Sequence, residues 1–263
     1  MPLVFAGITP HTPLILPSIG AEYIDAVKKT RAKMEVFAHH LYAAQPETLI
    51  IFTPHVASTA GVFTVVLAQT FEGGMDQFGD FSLKVHFPGD VAFAHRIQRR
   101  ADEHKIPTAL QHNDKLDYGS TVPLLFLEDH LPKLKIIPIS DSTLDTETHF
   151  RFGELLREEI HGSTSRIAVL ASADLTNRGK RKAYEIAEKQ EPYDAAVLKA
   201  LKNNAGRSLL EMPPTIPQDA NECGFHSILM LFGLLDHMNY HATVHSYEAP
   251  IGVGFLVSEI TPA

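Results

Sequence analysis

Two hydrophobic segments in the first quarter of the chain end in the same three residues, and that repeated ending narrows the architectures open to it. Leu3-Val4-Phe5-Ala6-Gly7-Ile8 runs into Thr9-Pro10-His11, and Thr48-Leu49-Ile50-Ile51-Phe52 runs into Thr53-Pro54-His55. Proline cannot donate to a sheet ladder and biases the residue before it towards an extended conformation. Each histidine is therefore expected where a strand stops and a loop begins. In open α/β sheets, ligands bind at the carboxyl ends of the strands. Two imidazoles delivered there by separate strands are candidate metal ligands. The chain carries 15 histidines, so residue type alone decides nothing; the matched context singles out this pair.

The remaining pattern alternates between the two periods. Tyr23, Ile24, Val27, Met34, Phe37, Ala38 and Leu41 recur at helical spacing and predict a helix over 21–43. Strands are expected at 48–53, 62–71 and 81–87, with Gly73, Gly74 and Gly79 marking a loop between the last two. A helix over 90–104 and a strand near 107–111 follow. Ser120 or Thr121 then caps a helix with Pro123 near its first turn. The rest reads as a strand at 135–139, a helix at 145–160, a strand at 166–171, helices at 181–204 (broken near Pro192) and 220–238, and closing strands at 242–248 and 252–259. This alternation predicts an α/β fold: a single domain over 1–263, with a central mixed β-sheet and helices on both faces.

Composition excludes several function classes. The net charge is −8, and the one basic run, Arg178-Gly179-Lys180-Arg181-Lys182, reads as the solvated opening of a helix. Nucleic acid is therefore not the expected partner. A single cysteine, Cys223, rules out an intramolecular disulfide framework and any Cys-rich zinc module. Met1-Pro2 leads directly into a strand, so no signal peptide is expected, and no apolar run approaches the ~20 residues that span a bilayer. The expected location is cytoplasmic, with no membrane partner.

A divalent iron or zinc site needs a third donor beside His11 and His55. Glu222, in Asp219-Ala220-Asn221-Glu222-Cys223-Gly224, stands at the head of the apolar run 228–235. An acidic residue there is ordinarily favourable dipole chemistry. With the two histidines it also completes a two-His, one-carboxylate set, which leaves open positions on Fe(II) for substrate and dioxygen. The adjacent Cys223 offers a thiolate instead, which would make a softer site.

These segments, taken in order, resemble the class III extradiol ring-cleavage dioxygenase superfamily of the catalytic B-subunit type, to which Memo-like proteins are related. The resemblance covers nearly the whole chain. It rests on the two Thr-Pro-His segments, Asp117-Tyr118-Gly119 through Val122-Pro123-Leu124, Ala171-Ser172-Ala173-Asp174-Leu175-Thr176-Asn177-Arg178, Glu222-Cys223-Gly224, and the block Tyr247–Phe255. It implies Fe(II), or Zn(II) in purified protein, held by His11, His55 and Glu222. It also implies a catechol or 2-aminophenol substrate chelating the metal beside dioxygen.

Two positions depart from the family pattern. Asn177 stands where the family has its acid/base histidine, and Tyr118 replaces the histidine of the Asp-His-Gly segment. Asparagine cannot transfer a proton near neutral pH, although it can hydrogen-bond a substrate. A phenol with an ordinary pKa near 10 is a poor base. Losing a general acid/base costs about two to four orders of magnitude in rate. His112, Asp174, Tyr118 and His226 are the candidate substitutes. Asp174 reads otherwise as a helix N-cap, and Tyr247-Glu248 with Gly252 and Gly254 as a tight turn.

The resulting expectation is an extradiol-dioxygenase-like enzyme, with Asn177, Tyr118, Asp174 and His112 in or near the catalytic segments. Its rival is a metal-binding, non-cleaving homologue: a Memo-like redox or interaction protein, or the partner subunit of a catalytic homologue. A zinc hydrolase on the same ligands is a third reading, which no His-Glu-x-x-His motif supports. Homo-oligomers are the default assembly.

Overall fold

The computed structural model describes residues 2–57, 59–179 and 191–263. In chain order the first half runs β1 (Leu3–Thr9), α1 (Lys28–Ala43), β2 (Thr48–Thr53), β3 (Phe63–Leu67), β4 (Thr70–Met75), β5 (Asp80–Pro88), α2 (Val91–Glu103), β6 (Thr108–His112) and α3 (Tyr118–Leu125). The second half adds β7 (Lys135–Ser140), α4 (Thr146–His161), β8 (Ile167–Ser172), α5 (Pro192–Lys202), α6 (Thr215–Ala220), α7 (Phe225–Leu235), β9 (Tyr240–Glu248) and β10 (Phe255–Pro262).

Among the described residues the main sheet has eight strands in the order β6-β3-β7-β2-β8-β1-β10-β9. Its centre, β7-β2-β8-β1, is parallel. β10 runs antiparallel to β1 and β9, and β3 runs antiparallel to β7. Every residue of β2 and β8 is buried. Strands covered on both faces read as unbroken apolar runs, which is why TLIIFT and IAVLAS lack alternation. One face packs on α2, α4, α5 and α7 through Phe93, Phe150, Phe152, Val197 and Ile228. The other packs on α1, α3 and the separate β4–β5 hairpin through Phe37, Val122, Phe71 and Phe87. The fold is thus the expected α/β arrangement with a mixed sheet and helices on both faces.

Several local expectations are corrected. The helix expected from Ala21 begins at Lys28, after a 3-10 turn at Ala21–Tyr23. Its first turn is held by Glu248, whose Oε1 accepts from Thr30 N at 2.8 Å and Thr30 Oγ1 at 2.5 Å. The stretch 62–71 is not one strand but β3 and the start of β4, and Gly73 and Gly74 lie inside β4. At Gly73 a side chain would meet Thr121 Oγ1 at 2.6 Å, so the missing Cβ lets α3 pack on the hairpin. α3 is capped by Asp117, whose Oδ1 accepts from Ser120 N at 3.0 Å, and not by Ser120 or Thr121. Asp174 caps no helix, because 173–176 is irregular. The expected helix over 181–204 is present as α5 from Pro192; its portion over 181–190, and the basic run from Lys180, lie outside the described residues.

No helix among the described residues is long and apolar enough to cross a membrane.

Candidate metal centre

β1, β8 and β2 are parallel neighbours, with Thr9 opposite Ser172 and Phe52 opposite Ala171. The chain therefore leaves all three strands along one edge, and His11 and His55 converge there from either side of β8. His11 is fully enclosed, with 1% of its surface exposed, and its backbone N–H donates to Asp174 Oδ1 at 3.0 Å. The two imidazoles meet edge to face, with Nε2 atoms 3.0 Å apart. Cys223, on the loop before α7, places Sγ 3.2 Å from His11 Nε2. The three donor atoms lie within 4.8 Å of one another. Ligands about 2.0–2.3 Å from a shared cation stand roughly 3–3.7 Å apart, so the two short separations fit a common ion.

The protonation states also fit. Burial lowers the pKa of His11 to about 4. Burial, then the neighbouring His11, lowers that of His55 to about 4. Both rings are neutral at pH 7 and have lone pairs to offer. Burial and the Asp174 carboxyl push the Cys223 thiol far up, against a hydrogen bond from the Asp174 backbone that favours the thiolate. A bound cation is what would hold that sulfur deprotonated.

The hydrogen bonds set the tautomers. Ser172 Oγ donates to the Gly119 carbonyl at 2.6 Å, so its lone pairs accept from His11 Nδ1–H at 2.9 Å. That leaves a lone pair on His11 Nε2, facing the centre. Without a cation, His55 Nε2–H donates to it, and Tyr118 Oη donates to His55 Nδ1 at 3.3 Å. A hydroxyl can also accept, so His55 can move its proton to Nδ1 and free Nε2. Tyr118 stacks on His55 with ring centroids 4.2 Å apart, and burial raises its pKa to about 12, so the phenol keeps its proton.

Asp174 is buried beside the centre. Its Oδ2 lies 3.8 Å from His11 Nε2, and burial raises its pKa to about 7 against the opposing His11 N–H bond.

The other expected site residues lie elsewhere. Glu222 is not among the three donors that lie within 4.8 Å of one another; its Oε2 accepts from Gly224 N at 2.7 Å and from Phe225 N at the start of α7, and from Tyr193 Oη at 3.5 Å. Asn177 is exposed, and its Oδ1 accepts from Gly179 N at 3.2 Å within its own loop. His112 is exposed at the end of β6, an edge strand separated from β2 by β3 and β7. His226 stacks on His149 with centroids 3.9 Å apart, and its Nδ1 lies 3.3 Å from Asp141 Oδ2. Tyr247 donates to the buried carboxyl of Asp194 at 2.6 Å and takes no part in the centre. Sequence reasoning missed Ser172 as the partner of His11. The strand-end rule that found both histidines, applied to β8, would have found it.

A cleft of about 610 Å³ opens beside His55 and Tyr118. Its walls carry two ion pairs, Lys84 with Asp76 and Lys115 with Glu72.

Comparison with known proteins follows the same lines. A family model described as the catalytic LigB subunit of aromatic ring-opening dioxygenase matches residues 6–258. Protein CA_C1420 of Clostridium acetobutylicum is 24% identical over 263 residues, covering 96% of this chain and 56% of that protein. A MEMO1 family protein of Methanosarcina mazei is 30% identical over 171 residues, covering 63% of this chain and 55% of that protein. The chain thus spans about half the length of these curated relatives. The crystal structure of an uncharacterized protein, JW3007, from Escherichia coli K12 superposes with a TM-score of 0.60 at 16% identity, covering 98% of this chain and 99% of that one. That likeness concerns the fold.

Proposed function

The chain belongs to the family of the catalytic LigB subunit of aromatic ring-opening dioxygenase, and we propose that within it this is a metal-binding redox protein that does not cleave rings. The observation that carries this reading is the donor set: Cys223 Sγ stands 3.2 Å from His11 Nε2, while Glu222 Oε2 accepts from the backbone at the start of α7. Imidazole with thiolate suits iron, copper or zinc. Iron(II) held by His11, His55 and Cys223 would supply one-electron chemistry.

The surrounding residues support the same reading. Ser172 orients His11, and Tyr118 lets His55 exchange tautomers. Asn177 faces its own loop, so no proton carrier stands at the position where the family places its histidine. The cleft beside His55 is walled by ion pairs, whereas a catechol ring asks for mainly apolar walls.

One observation favours a second reading, extradiol cleavage of a catechol or 2-aminophenol. The Asp174 carboxyl is buried with its Oδ2 3.8 Å from His11 Nε2, and burial makes it hold its proton more tightly than usual, which suits a proton donor beside the centre. It would then take the role that Asn177 cannot fill.

Anaerobic iron(II) loading, followed by oxygen uptake with a catechol and 2-aminophenol panel, separates the two. The expected result is iron binding that depends on Cys223, with no ring-opened yellow product. The Asn177→His variant should stay equally inactive. A yellow product abolished by Asp174→Asn would replace the proposal with the second reading. Iron retained in full by Cys223→Ser would overturn the donor set itself.

A further inference from the structure

A second cluster of ligand-type side chains lies away from the strand ends. His40 Nδ1 is 2.6 Å from Glu259 Oε2, and His245 Nε2 is 2.9 Å from the same oxygen. The two rings sit edge to face with centroids 5.4 Å apart. All three donor atoms lie within 4.8 Å of one another. His40 comes from the last turn of α1, His245 from the edge strand β9, and Glu259 from β10. From these placements we infer a second divalent-cation site, formed by His40, His245 and Glu259, that clamps the end of α1 onto the β9–β10 hairpin.

The local backbone is built for this meeting. β9 and β10 pair regularly except between Val257 and Ser258, where Val257 faces Ser246 and Ser258 faces Val244. His245 is the extra residue of that bulge. A bulge bends its strand and re-aims the side chain it carries, here onto the carboxylate of Glu259. On the next strand Gly7 stands opposite Glu259, and a Cβ there would meet Phe37 of α1 at 2.4 Å. The bare backbone at Gly7 lets α1 settle low enough for His40 to reach the same carboxylate.

The chemistry suits a borderline cation. Two imidazoles and one carboxylate are a set that binds zinc(II)-class ions and leaves a position for water. With neutral rings the set carries one negative charge. Binding requires each ring to hold its proton on its other nitrogen, away from the cation. The His245 and Glu259 side chains are 9% and 14% exposed, while His40 is 49% exposed and leaves an open approach. This site is independent of the reading proposed for the first centre, because it shares no residue with it.

Cobalt(II) titration of the full chain tests it, since thiolate ligation produces a sulfur-to-metal charge-transfer band and a nitrogen–oxygen site does not. The expected result is two equivalents per chain, one with that band and one without. His40→Ala, at a half-exposed position, should remove only the equivalent lacking the band, and Glu259→Gln should do the same. Zinc(II) should raise the melting temperature of Cys223→Ser and fail to raise that of Cys223→Ser with His40→Ala. A single equivalent that vanishes with Cys223 overturns the inference. So do two equivalents that persist in both His40→Ala and Glu259→Gln.

Discussion

Ser172 Oγ accepts the Nδ1 proton of His11 at 2.9 Å while its own proton goes to the Gly119 carbonyl at 2.6 Å. This two-way bond fixes which nitrogen of a buried imidazole faces Cys223 and His55. Partners of this kind typically account for 10–100-fold in metal affinity. Ser172→Ala should therefore weaken metal binding by about 10–100-fold. It should also cost about 1–3 kcal/mol of stability, because a buried donor and acceptor lose their partner. Competition titration against a chelator and urea denaturation check the two effects.

Glu222 and Cys223 are neighbours in sequence, and the proposed centre takes only Cys223 as a ligand. Cys223→Ser should abolish tight binding at the His11–His55 centre alone, since a hydroxyl is a poor substitute for a thiolate. Glu222→Ala should leave the stoichiometry unchanged and lower stability by about 1 kcal/mol through loss of a helix-start acceptor. Metal analysis of the two purified variants decides it. Metal lost from Glu222→Ala with its fold intact would return the carboxylate to the ligand set.

What the sequence could and could not disclose follows from this pair. His11 and His55 were legible because Thr-Pro ends a strand by local chemistry alone. The choice between Glu222 and Cys223 depends on how α7 starts, and that is set by contact with Ala173 on a distant loop. His112 looked eligible because periodicity locates a strand but not its place in the sheet; β6 lies at the edge. Asn177 matched a family position in sequence, yet its own loop takes up its side chain.

Three imidazoles make the metal-free protein sensitive to acid. His11, His55 and His149 each have a folded pKa near 4 against an ordinary 6.5, with burial the leading cause. The unfolded chain therefore binds more protons between those values, so stability is full above about pH 6.5 and falls as pH drops towards 4. Asp174 acts in the opposite sense: its pKa, raised to about 7, makes the folded state the better proton binder between its ordinary value and 7. Burial also raises Asp194 and Glu222, which act with Asp174, but those two shifts are smaller and the three imidazoles still give a net loss in acid. Urea midpoints measured from pH 7 to 4 should fall, and His149→Gln should shallow the slope. A flat profile would contradict it.

The two rings are already deprotonated above pH 5, so the pH dependence of metal affinity falls on Cys223. Its thiol is pushed up by burial and must lose a proton when the cation binds. Affinity should rise about tenfold per pH unit from 7 to 8.5, with about one proton released per ion. Calorimetry in buffers of different ionisation enthalpy counts that proton, and a count of zero would remove the thiolate from the centre.

Gly224 sets the approach of the two loops that supply Cys223 and Asp174. A Cβ there would fall 2.1 Å from Ala173 Cβ and 2.5 Å from Ala173 Cα, and backbone cannot swing aside as a side-chain tip can. Overpacking of this kind costs about 1–3 kcal/mol. Gly224→Ala should incur that loss and also weaken metal binding, because Asp174 follows Ala173 and receives the His11 N–H. Gly61→Ala is the control: its φ of 76° strains any side chain, but nothing lies within 4 Å of the added carbon. It should cost about 1–2 kcal/mol and leave metal affinity unchanged. Equal affinity loss in both variants would mean that general destabilisation, and not the spacing of Cys223 from His11, governs the centre.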